Sequence, residues 1–470
     1  MKVCIICEGS YPYVAGGVSS WVQMLIKSMP ETEFTILSIA TDREEMSEYR
    51  YEIPQNIKKI TTVYLGEQVL EKKYSNIRLD EKDRRALRSL VVERPEDMDW
   101  KSILDFIKKY QNRLTGILMC EEFFKLTLEL YQMDGKNTIF NEYLWSLRGM
   151  YLPLMSVLSQ ELEDADVYHA VSTGYAGILG SAASYINNRP FLLSEHGIYT
   201  REREEDIIRS DWMSGDFKEF WIQFFKKLSL ITYRQATLVT ALFASARKLQ
   251  VELGCPEEKI YIIPNGVDAE NFAGLPGKTE EEKKYFDVGS VLRIVPIKDV
   301  KTMIMSFFLA ARSIPEARLH LLGSFDENPE YYQECQELIK ELNMENVRFY
   351  GQTDIRKYIG KFDLLLLTSI SEGQPLAVLE GMAAGIPFIC TNVGDCPGLM
   401  NGNEKDEFGK AGFIVPAMDA DAVAQKIIYL AEHSEIREKM GKCGQKRVAE
   451  YYKKTEFLKK YQELYKKVRG

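Results

Sequence analysis

Two carboxylates eight residues apart, Glu372 and Glu380, punctuate the stretch from Asp363 to Asp395. An ionised carboxylate only accepts hydrogen bonds and a hydroxyl donates them, so both residues suit the hydroxyls of a sugar. Two cations, Arg293 and Lys298, stand five residues apart in a strand-to-helix turn. Arg offers a planar fork and Lys a point charge, a combination that fits a diphosphate. His196 follows an apolar run, within Glu195-His196-Gly197. A positioned imidazole donates to a hydroxyl or moves a proton. Gly16 and Gly17 precede a helical pattern, where backbone without side chains approaches a phosphate or a sugar closely. Each feature alone also reads as a solvated charge or a tight turn. Together they describe a site for a ligand that carries both hydroxyls and phosphates.

The elements that must position these residues alternate strand and helix. Leu364 to Leu367 is apolar at every position, which suits a strand buried on both faces of a parallel sheet. Pro375 stands where a first helical residue would be, and Gly385 is placed to end that helix. Leu379, Met382, Ala383 and Ile386 give it an apolar face, and Phe388 to Cys390 is the next strand. Ligands of open α/β sheets bind beyond the carboxyl ends of the strands, where Glu372 falls, and the helix N-terminus beside it favours phosphate.

Upstream, Lys2 to Cys7 reads as a buried strand, followed by a helix with Val18, Trp21, Val22, Leu25 and Met29 on one face. Further strands are expected at Phe34–Ile39, Ile60–Leu65, Val167–Val171, Phe191–Ser194, Thr237–Thr240 and Ile260–Ile263. Residues from about 67 to 162 are mostly helical and charged, which predicts an insertion. Asp287 to Val295 opens a second series of strands and helices. The α/β order repeated around a boundary near residue 275 predicts two Rossmann-like domains facing each other across a cleft. The first covers residues 1–275 and the second 276–450. The terminal stretch, 451–470, carries seven Lys or Arg between Tyr452 and Arg469 and a helical apolar stripe, and is expected to pack back on the first domain.

With 470 residues, 45% hydrophobic and 27% charged, the chain has the composition of a globular enzyme of two or more domains. A net charge of −9 gives no case for nucleic acid. No secretory signal is apparent, and no apolar run reaches the ~20 residues of a membrane span. The eight scattered Cys read as reduced, buried thiols of a cytoplasmic protein. Cys4 and Cys7 would point to opposite faces of a strand. The G-x-G-x-x-G fingerprint is absent, which removes support for a nicotinamide cofactor. Asp419-Ala420-Asp421 imitates the D-x-D of metal-dependent transferases, but reads better as the start of a helix from Ala420 to Glu432. No metal and no other cofactor is expected.

Asn265-Gly266-Val267-Asp268, the Arg293/Lys298 pair and Glu372-x7-Glu380 occur in the order and spacing of family 4 retaining glycosyltransferases, which the chain resembles over nearly its whole length. The finer wording, in CEGSYPYVAGGVSSW, SEHGIYTREREEDI, RIVPIKDVKT and SEGQPLAVLEGMAAG, is similar to the PelF type, cytoplasmic transferases of Pel exopolysaccharide synthesis. The resemblance implies the GT-B fold and metal-independent, retaining transfer of a hexose from a UDP-sugar such as UDP-glucose to a growing polysaccharide. It implies that Arg293 and Lys298 hold the donor diphosphate, that Glu372 binds hydroxyls of the transferred sugar, and that Glu380 binds the ribose. Gly16 and Gly17 would approach donor phosphates or acceptor, and His196 the sugar. Many family members have Glu-Gly-Phe-Gly where this chain has Glu372-Gly373-Gln374-Pro375; Pro375 lacks an N–H, so a phosphate contact falls to Gln374 or Leu376. An inner-membrane synthase complex is a further implied partner, with peripheral placement at the inner face of the membrane. A nucleotide-sugar epimerase of the same fold and a silent UDP-sugar-binding subunit are the alternatives.

Overall fold

Leu364 to Leu367 shows why this chain builds parallel sheets. In the computed structural model it is a strand in which Leu364 and Leu366 face one core, with Met303 and Phe307, while Leu365 and Leu367 face another, with Val378, Leu379 and Met382. Side chains alternate across a strand, so a run apolar at every position needs cover on both faces. The structure describes residues 1–43, 48–67, 77–133, 139–210, 215–402 and 406–469.

Among the described residues, thirteen strands form two sheets. β1 is Lys2–Glu8, β2 Glu33–Ala40, β3 Ile57–Tyr64, β4 Val167–Ala170, β5 Phe191–Ser194, β6 Leu238–Ala241 and β7 Ile260–Ile262. These pair in the order β3-β2-β1-β4-β5-β6-β7, with every pairing parallel. β8 is Phe286–Val291, β9 Ala317–Leu322, β10 Val347–Gly351, β11 Leu364–Leu367, β12 Phe388–Thr391 and β13 Gly412–Val415. They pair in the order β10-β9-β8-β11-β12-β13, again all parallel. Each sheet reverses direction of growth beside its first strand, so each is Rossmann-like, with helices as crossovers.

The chain divides into two compact units, residues 1–262 with 461–470, and residues 263–460. The division falls ahead of residue 275 because the intervening residues are bound into the second unit. Val267 and Phe272 lie in its core, and Val267 pairs with Lys453. In the first unit the helices Glu81–Val91, Trp100–Tyr110, Glu121–Met133 and Phe140–Leu158 fill the space between β3 and β4 in the chain. Leu87, Ile103, Phe106, Phe123 and Leu154 share one core with Ile6, Tyr168 and Leu179, so this insertion is part of the first unit's own core. Parts of the expected insertion, residues 68–76 and 134–138, lie outside the described residues.

Two expectations shift. The strand expected over Asp287–Val295 stops at Val291, because the chain turns through Arg293 and Pro296 into a single turn at Pro296–Lys298. Gly323 follows β9 with φ +144, and a Cβ there would lie 1.8 Å from Leu292 O, so only glycine allows this approach. Pro375 sits one position before the helix Leu376–Ala383, with φ −71 and ψ 120, rather than as its first residue. Gly385, at φ +78, does end that helix.

Truncating the doubly covered strand should be costly. Leu366→Ala is expected to destabilise the second unit by about 2–5 kcal/mol, seen as a lower midpoint in urea unfolding; an unchanged midpoint would contradict the packing described.

Candidate functional site

The second unit brings Lys298 and Glu372 together. Lys298 Nζ lies 2.5 Å from Glu372 Oε1, and both side chains are largely covered, at 18% and 10% exposure. Lys298 ends the turn after β8, and Glu372 lies in the loop after β11, the strand paired with β8. The two loops are stitched by hydrogen bonds: Ile370 N–H donates to Ile297 O (2.9 Å), and Thr368 Oγ1 donates to the carbonyls of Lys298 (3.1 Å) and Asp299 (3.0 Å). Ser369 Oγ donates to Glu372 Oε1 at 2.6 Å. Arg293 is not part of this pair. Its Nη1 reaches both carboxylate oxygens of Glu327 at 2.6 Å, on the more exposed side of the loop. The two sequence-predicted cations are thus each held by a glutamate.

Behind Glu372 the helix Leu376–Ala383 presents its first N–H groups, which have no intrahelical partner. Gln374 is turned inward and 5% exposed, with its side chain bonded to Asn265 and Asp395. It therefore offers no side-chain contact to a ligand, and any phosphate contact from this turn falls to main-chain N–H groups at Gln374 or Leu376. Glu380 lies on the same helix, partly buried, with no hydrogen-bond or ionic partner among the described residues. Burial alone raises its carboxyl to about 7. A carboxylate so placed gains from any ligand that donates to it. Asp419 caps the helix Ala420–Glu432, its Oδ1 accepting from Ala422 N–H at 2.8 Å, so this residue of the D-x-D look-alike has a local structural role.

Gly16, Gly17 and His196 belong to the first unit. Gly16 precedes the helix Gly17–Lys27, and among the described residues a Cβ at either glycine would meet nothing within 4 Å. Trp21, one turn along that helix, meets the His196 ring edge-on with centroids 4.5 Å apart. His196 Nε2 is buried without a hydrogen-bond partner among the described residues. Burial holds the imidazole down at about 4, so at neutral pH it is uncharged. It can exchange a hydrogen bond with a hydroxyl, but it does not act as a standing cation.

His169 differs. Its Nδ1 meets Tyr465 Oη at 2.6 Å and its Nε2 meets Ser194 Oγ at 2.8 Å, deep in the core, so its role is structural.

Sequence reasoning missed several residues at these loops. Glu327 lies 34 positions from Arg293 and carries no spacing signal. Glu8, at the end of β1, accepts from Tyr199 Oη (2.6 Å) and Ala176 N–H (3.1 Å). Glu195 accepts from Tyr233 Oη (2.6 Å) and Gln250 Nε2 (3.0 Å), and burial still pushes it up to about 7. A charged residue directly after an apolar strand is the only signal either gave.

Glu380 makes the sign of a pH effect testable. An ordinary Glu ionises near 4.5, and this one near 7 in the fold, so between those values the native chain binds more protons than the unfolded chain. Its ionisation therefore costs stability as pH rises through that window. Glu380→Gln should raise unfolding free energy above pH 7 by on the order of 2 kcal/mol and leave it unchanged near pH 4.5. Denaturant titration at the two pH values checks this; equal effects at both would refute the assignment.

Residues 1–258 match the family model described as a domain of unknown function, DUF3492, and residues 273–447 match glycosyl transferases group 1. An N-acetyl-alpha-D-glucosaminyl L-malate synthase of Bacillus anthracis is 27% identical over 241 residues, 49% of this chain and 60% of that protein. The capsular polysaccharide biosynthesis glycosyltransferase CapM of Staphylococcus aureus is 27% identical over 304 residues, 62% of this chain and 74% of its own. The match thus spans less than two thirds of the first relative's length. Among solved structures, Anabaena HepE in complex with UDP aligns with a TM-score of 0.61 at 15% identity, covering 99% of this chain and 100% of that one. Sucrose-phosphate synthase from Thermosynechococcus elongatus aligns with a TM-score of 0.63 at 15% identity, covering 99% and 98%. Over more than half its length the chain belongs to the DUF3492 family, and it continues into a glycosyl transferases group 1 domain, the whole having the two Rossmann-like domains of the GT-B fold.

Proposed function

We propose that the chain is a retaining, metal-independent glycosyltransferase that moves a hexose from a UDP-sugar, UDP-glucose or a near relative, to a growing exopolysaccharide such as Pel. The observation that carries the donor site is the Lys298–Glu372 pair at the carboxyl ends of β8 and β11, with a helix N-terminus and the unpartnered Glu380 beside it. An incoming diphosphate competes with Glu372 for Lys298 and with Glu327 for Arg293, and it releases carboxylates that can then accept from sugar hydroxyls. Glu380 accepts from the ribose. The UDP bound by the Anabaena neighbour supports a uridine nucleotide, and the segments quoted for the PelF type support the polysaccharide acceptor.

Cleavage of the bond between sugar and phosphate builds negative charge on the diphosphate. Lys298, Arg293 and the N–H groups at the start of the helix Leu376–Ala383 stabilise that charge as it develops, in place of a metal ion. The leaving phosphate oxygen takes the acceptor's proton on the face it departs from, which gives retention. Neutral His196 holds a sugar hydroxyl through its unpartnered Nε2. No helix among the described residues is long and apolar enough to cross a membrane. The resemblance to the PelF type supports an inner-membrane synthase complex as a partner met at the inner face of the membrane.

Titration calorimetry with UDP, UDP-glucose, UDP-N-acetylglucosamine and GDP-mannose, without added metal, tests the donor. Micromolar binding of the uridine compounds is expected, weakened at least tenfold in Lys298→Ala. Binding restricted to GDP-mannose, or an unaffected Lys298→Ala, would overturn the assignment. In transfer assays Arg293→Ala should lower turnover about 10²-fold or more with the fold intact. Product formed without any acceptor would point to an epimerase instead, and binding with no transfer to a silent subunit.

A further inference from the structure

Gln374 stands where the donor loop turns into its helix, between Gly373, which constrains the backbone little, and Pro375, which has no N–H to tie down. Such a turn needs anchoring from elsewhere, and at this end of the loop the hydrogen bonds run through Gln374 and Gly373. Gln374 Oε1 accepts from Asn265 N–H at 2.6 Å, and its main-chain carbonyl accepts from Asn265 Nδ2 at 3.0 Å. Its Nε2 donates to Asp395 Oδ2 at 2.6 Å. Asp395 N–H in turn donates to Gly373 O at 2.9 Å. Gly394, at φ +53, lets the loop after β12 lie so close that a Cβ there would come within 2.2 Å of Gly373 O and 2.3 Å of Glu372 O. Gln374, Asn265 and Asp395 are all buried, and Asn265 is held in this arrangement although its own Oδ1 has no partner among the described residues. Residues 372–374 are therefore clamped between the segment after β7 and the loop after β12.

We infer that Gln374 is the positioning residue of the donor site: by joining Asn265 to Asp395 it fixes the carboxylate of Glu372 against Lys298 and sets the aim of the first N–H groups of the helix Leu376–Ala383. The inference rests on the donor-site reading above and deepens it. Gln374 touches no donor atom through its side chain; it acts through Glu372. Its chemistry is specific, because one amide must accept from a backbone N–H on one side and donate to a buried carboxylate on the other. A glutamate cannot do both beside an ionised Asp395.

The pair allows an exchange that keeps shape and hydrogen-bond count. In Gln374→Glu two carboxyl groups meet in a buried place and must share a proton, which becomes harder as pH rises. In the double variant Gln374→Glu with Asp395→Asn the new carboxylate accepts from Asn265 N–H and from the new amide, so the link is restored. Asp395 itself stands raised to about 6 by burial. The titratable groups facing it are Cys396 and Tyr452, both held above their ordinary values and so neutral through the assay range; Cys396 is in turn hydrogen-bonded to Cys390 and senses Glu372.

The test is calorimetric titration of the full chain with UDP and UDP-glucose at about pH 5.5 and about pH 8, with thermal melts of each variant alongside. Gln374→Glu is expected to bind about as wild type at the lower pH and at least tenfold more weakly at the higher, while the double variant returns to within about threefold of wild type at both. Gln374→Met, which fills the volume without polar atoms, should bind weakly at both, and it carries the test if Gln374→Glu does not fold. Wild-type affinity in Gln374→Glu at both pH values, or a folded double variant no better than the single one, would overturn the inference while leaving the donor site standing. A wild-type chain that binds neither ligand would overturn the donor-site reading itself.

Discussion

The covered ion pair between Lys298 and Glu372 is the constraint on which the second unit's site depends. Removing two charges from water costs several kcal/mol per ion, and the pair's own attraction offsets this only with good geometry and further hydrogen bonds. The loops after β8 and β11 supply both: Ile370 is bonded to Ile297, Thr368 to the carbonyls of Lys298 and Asp299, and Ser369 to Glu372 itself. The adjacency of β8 and β11 in the sheet order brings two residues 74 positions apart in the chain to one point. That adjacency exists because Leu364 to Leu367 is apolar on both faces and so must lie inside a sheet covered by helices. The chain from packing to chemistry is short here. Burial of a leucine strand places a carboxylate beside an ammonium, and the stitched loops keep them there.

The first unit works on a different principle. Its loops are rich in buried groups that are neutral rather than charged. His196 is held uncharged by burial, as is His169, which burial takes down to about 3. Around His169 a network joins Ser194, Thr240 and Thr240's neighbour in space, Tyr461, whose hydroxyl lies 3.0 Å from both hydroxyl oxygens. Tyr461 also packs edge-on against Trp21 with centroids 5.1 Å apart, and Trp21 supports His196. The last helix of the chain thus underpins the turn that carries the unpartnered imidazole nitrogen. A neutral, rigidly backed imidazole discriminates by hydrogen-bond geometry, which suits a hydroxyl-rich ligand better than a phosphate.

Much of this was legible in the sequence because it rests on local periodicity. Leu364 to Leu367, Phe388 to Cys390 and the helix that Gly385 ends were readable from apolar runs and one glycine. So was the alternation that produces two parallel sheets. The unit boundary was not, since Val267 pairs with Lys453 near the chain's far end and the turn Ala269–Phe272 packs on the helix Leu376–Ala383, which no linker composition reveals. The end of β8 was misjudged because Leu292, Ile294 and Val295 are apolar and buried without being strand. At the site, residue types were readable and pairings were not. Nothing local in the sequence says that Arg293 meets Glu327 while Lys298 meets Glu372, or that Gln374 faces inward to Asn265 and Asp395. Those partners come from loops that only the sheet order brings together.

The claim that the Lys298–Glu372 pair is the seat of the donor diphosphate is tested most directly by a crystal structure of the chain with UDP bound. Lys298 Nζ is expected to have left Glu372 for a β-phosphate oxygen, with Arg293 released from Glu327 onto the same diphosphate and the ribose hydroxyls on Glu380. UDP bound elsewhere, or bound beside a Lys298–Glu372 pair still closed at 2.5 Å, would contradict it.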